Sequence, residues 1–496
     1  MTTSTSELID AAAFAAIDLG AESGRVVLGR LAGGRASLEV VHRFPNRPVR
    51  LPDGLRWNPL ALFTEALEGL RRAGAGLRGV GVDAWGVDYA LLDGRGRMLG
   101  LPFHYRDRRT EGMIARAHAR VPRDELYAVA GIQTMPINTV FQLLADEGSP
   151  ALDAAERIAL VPDLFALWLT GEFANEATAA STTGLLDARK GTWARSLVER
   201  LGLPGAPFAG DPVEPGTKLG TVSAHHEAGG AHVYAVAGHD TASAFAAAPI
   251  TTPRAAILSS GTWSLLGVEL DGPILTPQAS AFNLTNERGV DGTIRLLRNV
   301  MGLWLVQECR RRFGADYDEL HRLAEEVQGE VPLFDPDDDA FLAPADMPAE
   351  IAAACQAAGQ GSPRSPGEVV RSILVSLACK YRLVLERLER VSGREVERVH
   401  VIGGGARNEL LCRLTADVLA RTVLAGPVEA TALGNVLVQA RSVGELGSLA
   451  ELRAVAAASA DPLVFEPRDP EEGEATYLRF LDVTGLAVDE PEPALA

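Results

Sequence analysis

The chain is 496 residues long, enough for two to four domains at the usual ~100–200 residues each. Its 47 Lys+Arg against 65 Asp+Glu leave a net charge of −18, which excludes the basic face that nucleic-acid binding needs. Apolar residues make up 47% and charged residues 23%, an ordinary globular balance. The longest apolar runs, such as Ala11–Ile17, fall well short of the ~18–20 residues of a membrane span.

Met1–Asp10 is polar, with no basic residue ahead of an apolar stretch. It is therefore not a secretory signal, and the protein is expected in the cytoplasm with 1–13 as a disordered leader. Phe14–Leu19 then reads as a strand, Gly20–Gly24 as a turn and Arg25–Leu31 as a second strand. Gly79–Val82 and Val87–Leu92 read as another strand pair around Trp85-Gly86, and Val233–Ala237 as a strand entering Gly238-His239-Asp240. Short strands alternating with amphipathic helices predict an α/β architecture. Val370, Ile373, Leu374, Leu377, Tyr381, Val384, Leu385 and Leu388 keep the spacing of one buried helix face. Leu411, Leu414 and Val418 do the same after Gly405. Val488–Ala496 carries three acids, two prolines and no periodicity, so a frayed tail is expected.

One strand–glycine–strand unit occurs twice. Ala15–Gly20 parallels Ala256–Gly261, so that Asp18 falls on Ser259, 241 residues later. Two similar lobes joined near Pro249–Pro253 follow from that spacing.

Three glycine turns could meet phosphate. In Asp18–Arg25, backbone N–H groups can converge on an anion. Asp18 could hold Mg²⁺ through water, and Arg25 could neutralise phosphate charge. Glu22 fits poorly there and must point outward or assist the metal. Ser259–Trp263 could grip phosphates from the opposite side. Val401–Gly405 ends a strand in three glycines before a helix, where close approach and a helix N-terminus favour anions. Each turn has a plain structural alternative, a hairpin or a tight packing joint. Asp240, at a strand end, could accept a proton from an attacking hydroxyl; an Asp in a turn is equally a helix cap.

Other motifs carry no chemistry. Only Lys190, Lys218 and Lys380 are lysines and none follows a glycine, so a Walker-type phosphate loop is excluded. No G-x-S-x-G occurs, which argues against a serine hydrolase. His225-His226-Glu227 lacks H-E-x-x-H spacing and reads as a polar loop. Asp335–Asp339 opens like a calcium loop, but Ala340 and Asp346 stand where glycine and a bidentate Glu are needed. Cys309, Cys355, Cys379 and Cys412 fit no zinc spacing and read as reduced thiols.

Taken together, Asp18–Arg25, Gly238–Thr241, Ser259–Trp263 and Gly403–Gly405 resemble the FGGY carbohydrate kinases of the actin-like ATPase superfamily. Asp83–Tyr89, Tyr105–Thr110, Gly131–Thr139, Thr285–Glu287, Arg298–Gln307 and Gly426–Ala430 resemble that family's L-rhamnulose-phosphorylating branch. Gly238 stands where Ser is more usual, and Arg288 where Gly is. The resemblance implies a two-lobed, ribonuclease-H-like α/β fold with the active site in the cleft between an N-terminal lobe (14–248) and a C-terminal lobe (254–470). A segment over 471–496 would follow. It implies transfer of a phosphoryl group from MgATP to the C1 hydroxyl of L-rhamnulose, in a monomer or homodimer with no membrane or nucleic-acid partner. It further implies Asp240 as proton acceptor. Ala21, Glu22, Ser23, Gly24, Arg25, Thr262, Gln307 and Gly404 would contact ATP. Gly86, His239, Asp240, Thr241 and Asn299 would contact the sugar. The alternatives are a kinase of a related ketose or polyol (fuculose, xylulose, glycerol), or a non-enzymatic sugar sensor or chaperone-like ATPase. The latter two would need an added DNA-binding or peptide-binding block, for which 1–13 and the stretch after 470 are expected to leave no room.

Overall fold

The computed structural model describes residues 12–224, 226 and 228–491. Most of the expected leader, His225 and Glu227 of the polar loop and the last five residues lie outside them. Ala12 and Ala13, assigned above to the leader, already belong to the first strand.

Two mixed sheets share one strand plan. The first holds β1 (Ala12–Leu19), β2 (Ser23–Ala32), β3 (Arg35–Pro45), β4 (Gly79–Ala84), β5 (Lys218–Thr221) and β6 (His232–Tyr234), in the order β5-β6-β4-β1-β2-β3. The second holds β7 (Ala255–Ser260), β8 (Trp263–Leu270), β9 (Thr285–Arg288), β10 (Ile294–Met301), β11 (Arg398–Ile402), β12 (Thr422–Ala425) and β13 (Leu463–Phe465), in the order β9-β10-β8-β7-β11-β12-β13. β1 pairs antiparallel with β2 and parallel with β4; β7 pairs antiparallel with β8 and parallel with β11. Asp18 and Ser259 thus occupy equivalent strand ends, as the internal repeat predicts.

Gly79–Val82 and Val87–Leu92 do not pair with each other. β4 lies between β1 and β6, while Tyr89–Leu92 pairs with Arg157–Leu160 in a separate ribbon. The chain leaves the sheet because Val87 takes φ 68°. The corner is held by Asp88, whose Oδ2 accepts the indole N–H of Trp57 and Trp85 at 2.5 and 3.0 Å. The strand expected over Val233–Ala237 ends at Tyr234, and His239 rejoins the sheet edge through a bridge to Ala84.

Three helices set the frame of the cleft. α1 (Asp240–Ala246) starts at the candidate base. α2 (Pro366–Ser392) spans the predicted apolar stripe; the Ser365 hydroxyl accepts Glu368 N–H at its start, and Gly393 ends it in the left-handed region. α3 (Ala430–Ser442) comes from the C-terminal half yet packs on β1, β4 and α1. It crosses α1 at Gly434, where a Cβ would stand 1.8 Å from the Ser243 carbonyl oxygen. Only glycine permits that approach.

The acidic run Asp335–Asp339 has a structural role. Lys380, fully buried on α2, places Nζ 2.9 Å from Asp335 Oδ1 and 3.4 Å from Asp337 Oδ2. Asp337 also accepts the Met301 N–H at 2.8 Å, which fixes the end of β10. A last helix, α4 (Pro470–Thr484), packs against α2. Arg387 donates to the carbonyls of Ala487 and Glu490 at 2.8 and 3.0 Å, so the described part of the expected frayed tail is tied down. The four cysteines are buried and unpaired. No described helix is long and apolar enough to cross a membrane.

Candidate active site

A cavity of about 410 Å³ opens between the two sheets, lined by residues from both halves of the chain. Ala21, Arg25, Gly86, His239, Asp240, Thr241, Thr262, Asn299 and Gly404 all reach it; Glu22, Ser23, Gly24 and Gln307 do not line it.

The first turn is closed by Gly20 N–H donating to the Ser23 carbonyl at 3.0 Å. Asp18 and Arg25 are register partners across β1 and β2. Arg25 Nε and Nη2 both donate to Asp18 Oδ2, at 2.9 and 2.6 Å, which leaves Oδ1 with no partner among the described residues. Arg25 Nη1 meets the Glu429 carboxylate at the start of α3. The guanidinium is therefore held by two acids, one from each half of the chain. Gly24 faces Phe44 and not the cavity: a Cβ there would lie 2.2 Å from the ring. Glu22 points outward, as one of its two readings required, and pairs with Arg311 at 2.7 Å.

Asp18 and Asp83 are buried and do not line the cavity. Asp83 is the register partner of Asp18 on β4. Burial pushes the Asp83 carboxyl well above the usual carboxylate range; the Asp18 and Asp240 charges add to this, and the Asn435 amide opposes it. Asp83 Oδ1 is buried without a hydrogen-bond partner. Asp18 is also raised, by burial first, against the pull of Arg25. Asp18, Asp83 and Glu429 thus lie near Asp240 around Arg25, with Arg407 also reaching Glu429 at 3.6 Å.

Asp240 sits at the first turn of α1. Its Oδ1 accepts Thr241 N–H at 2.5 Å and the Thr241 hydroxyl at 3.1 Å, with His239 Nε2 at 3.4 Å. Oδ2 has no partner among the described residues. One carboxylate oxygen is thus anchored and the other is left open at the cavity wall. The segment is held from behind by Glu176, which is fully enclosed and raised by burial. Its Oε2 accepts the Gly238 N–H at 2.9 Å, and Thr178 Oγ1 accepts the His239 N–H at 3.1 Å. A Cβ on residue 238 would come 2.8 Å from that carboxylate oxygen, a local reason for glycine there.

The second and third glycine turns pack on each other. A Cβ at Gly405 would sit 2.0 Å from Ser260 Oγ. Gly403 takes φ 82° and Gly404 borders open space in the cavity wall. A short 3₁₀ segment over Gly404–Arg407 intervenes before the helix Glu409–Leu419, so the expected helix N-terminus does not begin at the glycines. Gln307 Nε2 donates to Thr262 Oγ1 at 3.3 Å, so it acts here behind the wall.

On the opposite wall, Asn299 is clasped by Gln133. Its backbone N–H and side-chain amide donate to Gln133 Oε1 at 2.8 and 3.1 Å. Gly86 stands where a Cβ would lie 3.1 Å from Thr182 and 3.3 Å from His239 Nε2. Sequence reasoning assigned no role to Gln133, Thr182, Glu287 or Glu429, all in the lining. Three of them fall in the quoted stretches Gly131–Thr139, Thr285–Glu287 and Gly426–Ala430, but nothing in spacing or residue type distinguishes them. Among the described residues no cluster of three His, Cys, Asp or Glu has the geometry of a protein-only metal site.

Comparison with known proteins gives consistent matches. The N-terminal domain of the FGGY family of carbohydrate kinases matches residues 15–245, and its C-terminal domain matches 256–443. A rhamnulokinase of Bacteroides thetaiotaomicron is 42% identical over 477 residues, covering 94% of this chain and 98% of the relative. Rhamnulokinases of Enterococcus faecalis (40%; 90% of this chain, 92% of the relative) and Bacillus subtilis (38%; 92% and 96%) are similar over comparable lengths. Among solved structures, a gluconate kinase from Lactobacillus acidophilus aligns with a TM-score of 0.77 at 13% identity, covering 96% of this chain and 98% of that one. A Plasmodium falciparum glycerol kinase with ADP gives 0.76 at 15%, covering 96% and 99%. At such identities these two establish the two-lobed fold alone.

Proposed function

The chain belongs to the FGGY family of carbohydrate kinases, and from that premise we propose that it is an L-rhamnulose kinase, transferring the γ-phosphoryl group of ATP to the sugar's C1 hydroxyl. The observation that carries this reading is the 38–42% identity to rhamnulokinases over nearly the whole of both chains. The site geometry supports the reaction class. Asp240 offers one anchored and one open carboxylate oxygen at the cavity wall; Oδ2 takes the C1 hydroxyl proton as the oxygen attacks phosphorus. His239, Thr241, Asn299 and Gly86 border the same space and bind the ketose. Ala21, Thr262 and Gly404 face it from the sides where the phosphates lie.

Mg²⁺, bound with ATP, would supply charge neutralisation of the phosphates. The unpartnered oxygens Asp18 Oδ1 and Asp83 Oδ1 fit such an ion, and Asp18 Oδ1 would hold one of its waters. Arg25, fixed between Asp18 and Glu429, gives the turn its shape and a positive charge. Ser23 and Gly24 act through the same turn, and Gln307 through Thr262. Most of the rate gain comes from positioning and fixed dipoles in a water-poor cleft. The enzyme works in the cytoplasm, as monomer or homodimer.

The test is a product assay: L-rhamnulose and MgATP should give ADP and L-rhamnulose 1-phosphate. A parallel panel of fuculose, xylulose and glycerol decides the sugar. Faster turnover of any of these than of L-rhamnulose would refute the substrate assignment and leave the kinase reading intact.

A further inference from the structure

Behind the candidate base lies a buried ion pair to which the reaction scheme gives no work. Glu287 on β9 and Arg295 on β10 are direct cross-strand partners. Arg295 is fully buried and Glu287 nearly so, with Nη2 to Oε2 at 3.1 Å. Burying two charges costs several kcal/mol each, and apolar side chains of similar volume would hold a sheet at least as well. This pair is also imperfectly satisfied: Arg295 Nη1 has no hydrogen-bond partner among the described residues. Stability is thus a poor reason for it.

The pair ends on the other half of the chain. Arg295 Nη2 lies 3.2 Å from His239 Nδ1, and Glu287 Oε2 lies 3.3 Å from the same nitrogen. An arginine can only donate. A carboxylate can only accept, so the two groups make opposite demands on Nδ1, Arg295 favouring a lone pair there and Glu287 a proton; between them they hold the ring so that Nε2 points to Asp240 Oδ1 at 3.4 Å. The third guanidinium nitrogen, Nε, donates to the Arg288 carbonyl at 3.0 Å and locks the fork in place.

We infer that Glu287 and Arg295 are positioning residues for phosphoryl transfer: they hold the His239 ring in the plane that brings Nε2 to Asp240. With Nε2 held beside Asp240 Oδ1, His239 keeps Oδ2 turned to the substrate hydroxyl. The link runs from the second sheet to a base carried by the first, so the base is set only when the two halves of the chain are in contact. The inference rests on Asp240 being the proton acceptor.

The experiment compares Glu287→Gln and the double variant Glu287→Gln/Arg295→Gln with wild type, with Asp240→Asn in parallel. The double variant removes both charges, so no uncompensated buried ion is left to unfold it. Both variants should lower kcat with L-rhamnulose about 10–100-fold, the scale of a misplaced reacting group, with KM for MgATP within about twofold of wild type. Histidine ¹⁵N spectra, assigned with His239→Asn, should show one fixed protonation pattern for wild-type His239 and a tautomer-averaged one in the double variant. Folded variants with wild-type kcat, or a wild-type ring that already averages between tautomers, overturn the inference. The spectrum decides even if both variants fail to fold. Should Asp240→Asn keep normal turnover, it is the base assignment that fails, a result separable from the first.

Discussion

Asp18 and Asp83 are register partners on adjacent parallel strands, so two carboxyl groups share one buried spot under the cleft. The fold holds Asp83 well above its ordinary range, by burial first and then by the Asp18 charge. A raised folded value means that the native state binds a proton the unfolded chain has released. Stability from this group is present below the ordinary aspartate range and is lost as pH rises through the folded value. Asp83→Asn should therefore flatten the decline in stability as pH rises above the ordinary aspartate range, measured by urea unfolding without metal. It should also weaken the Mg²⁺ dependence of turnover by about 10–100-fold, the usual cost of losing a residue behind a metal ligand. An unchanged decline with pH would exclude Asp83 as its source.

Asp240→Asn keeps the anchored oxygen and its Thr241 bonds but removes the proton acceptor. The variant should fold with wild-type thermal stability and bind MgATP normally in calorimetry. Its kcat should fall by about 10²–10⁴, the range for loss of a general base. The sugar KM should move far less than kcat, since Thr241, Asn299 and Gly86 are untouched.

The strand plan and the glycine turns were legible because they are local. Alternating strands, Gly20, Gly403 and the repeat of Asp18 on Ser259 are written in short stretches. Partnerships between halves of the chain were not. Nothing near Arg25 announces that Glu429 will hold its second face, and nothing near Glu22 points to Arg311. The acidic run at Asp335, rejected as a calcium loop, has no visible role in the sequence because its partner Lys380 lies 45 residues on in a helix read only for its apolar face. The helix expected at the third glycine turn was displaced by a 3₁₀ segment, since apolar spacing marks a buried face and not the first residue of a helix.

Lys380 gives a test of that network. It is wholly buried, and its two acids are partly so. Lys380→Met takes the buried cation from Asp335, while Asp337 keeps Arg298 at 3.2 Å, and breaking a buried pair from one side costs up to about 3–5 kcal/mol. Asp337 also holds the Met301 N–H next to the cavity wall that carries Asn299. The variant should lose that stability in urea unfolding and should raise the sugar KM more than the MgATP KM. Equal effects on both would place the damage elsewhere.

Glu22 and Arg311 make the opposite case. Their ion pair spans the two halves of the chain at the cleft mouth, but both side chains are more than a third exposed. Exposed pairs contribute about 0–1 kcal/mol and are screened by salt. Glu22→Gln should leave the unfolding midpoint nearly unchanged and keep kcat/KM for MgATP within about threefold at 0.15 M salt. Because Glu22 carries negative charge beside the expected phosphate path, its removal should lower KM for MgATP slightly at low ionic strength, with the difference vanishing at high salt. A loss of activity that persists at high salt would mean that Glu22 contacts nucleotide or metal directly, and that its outward pose is not the one it takes in turnover.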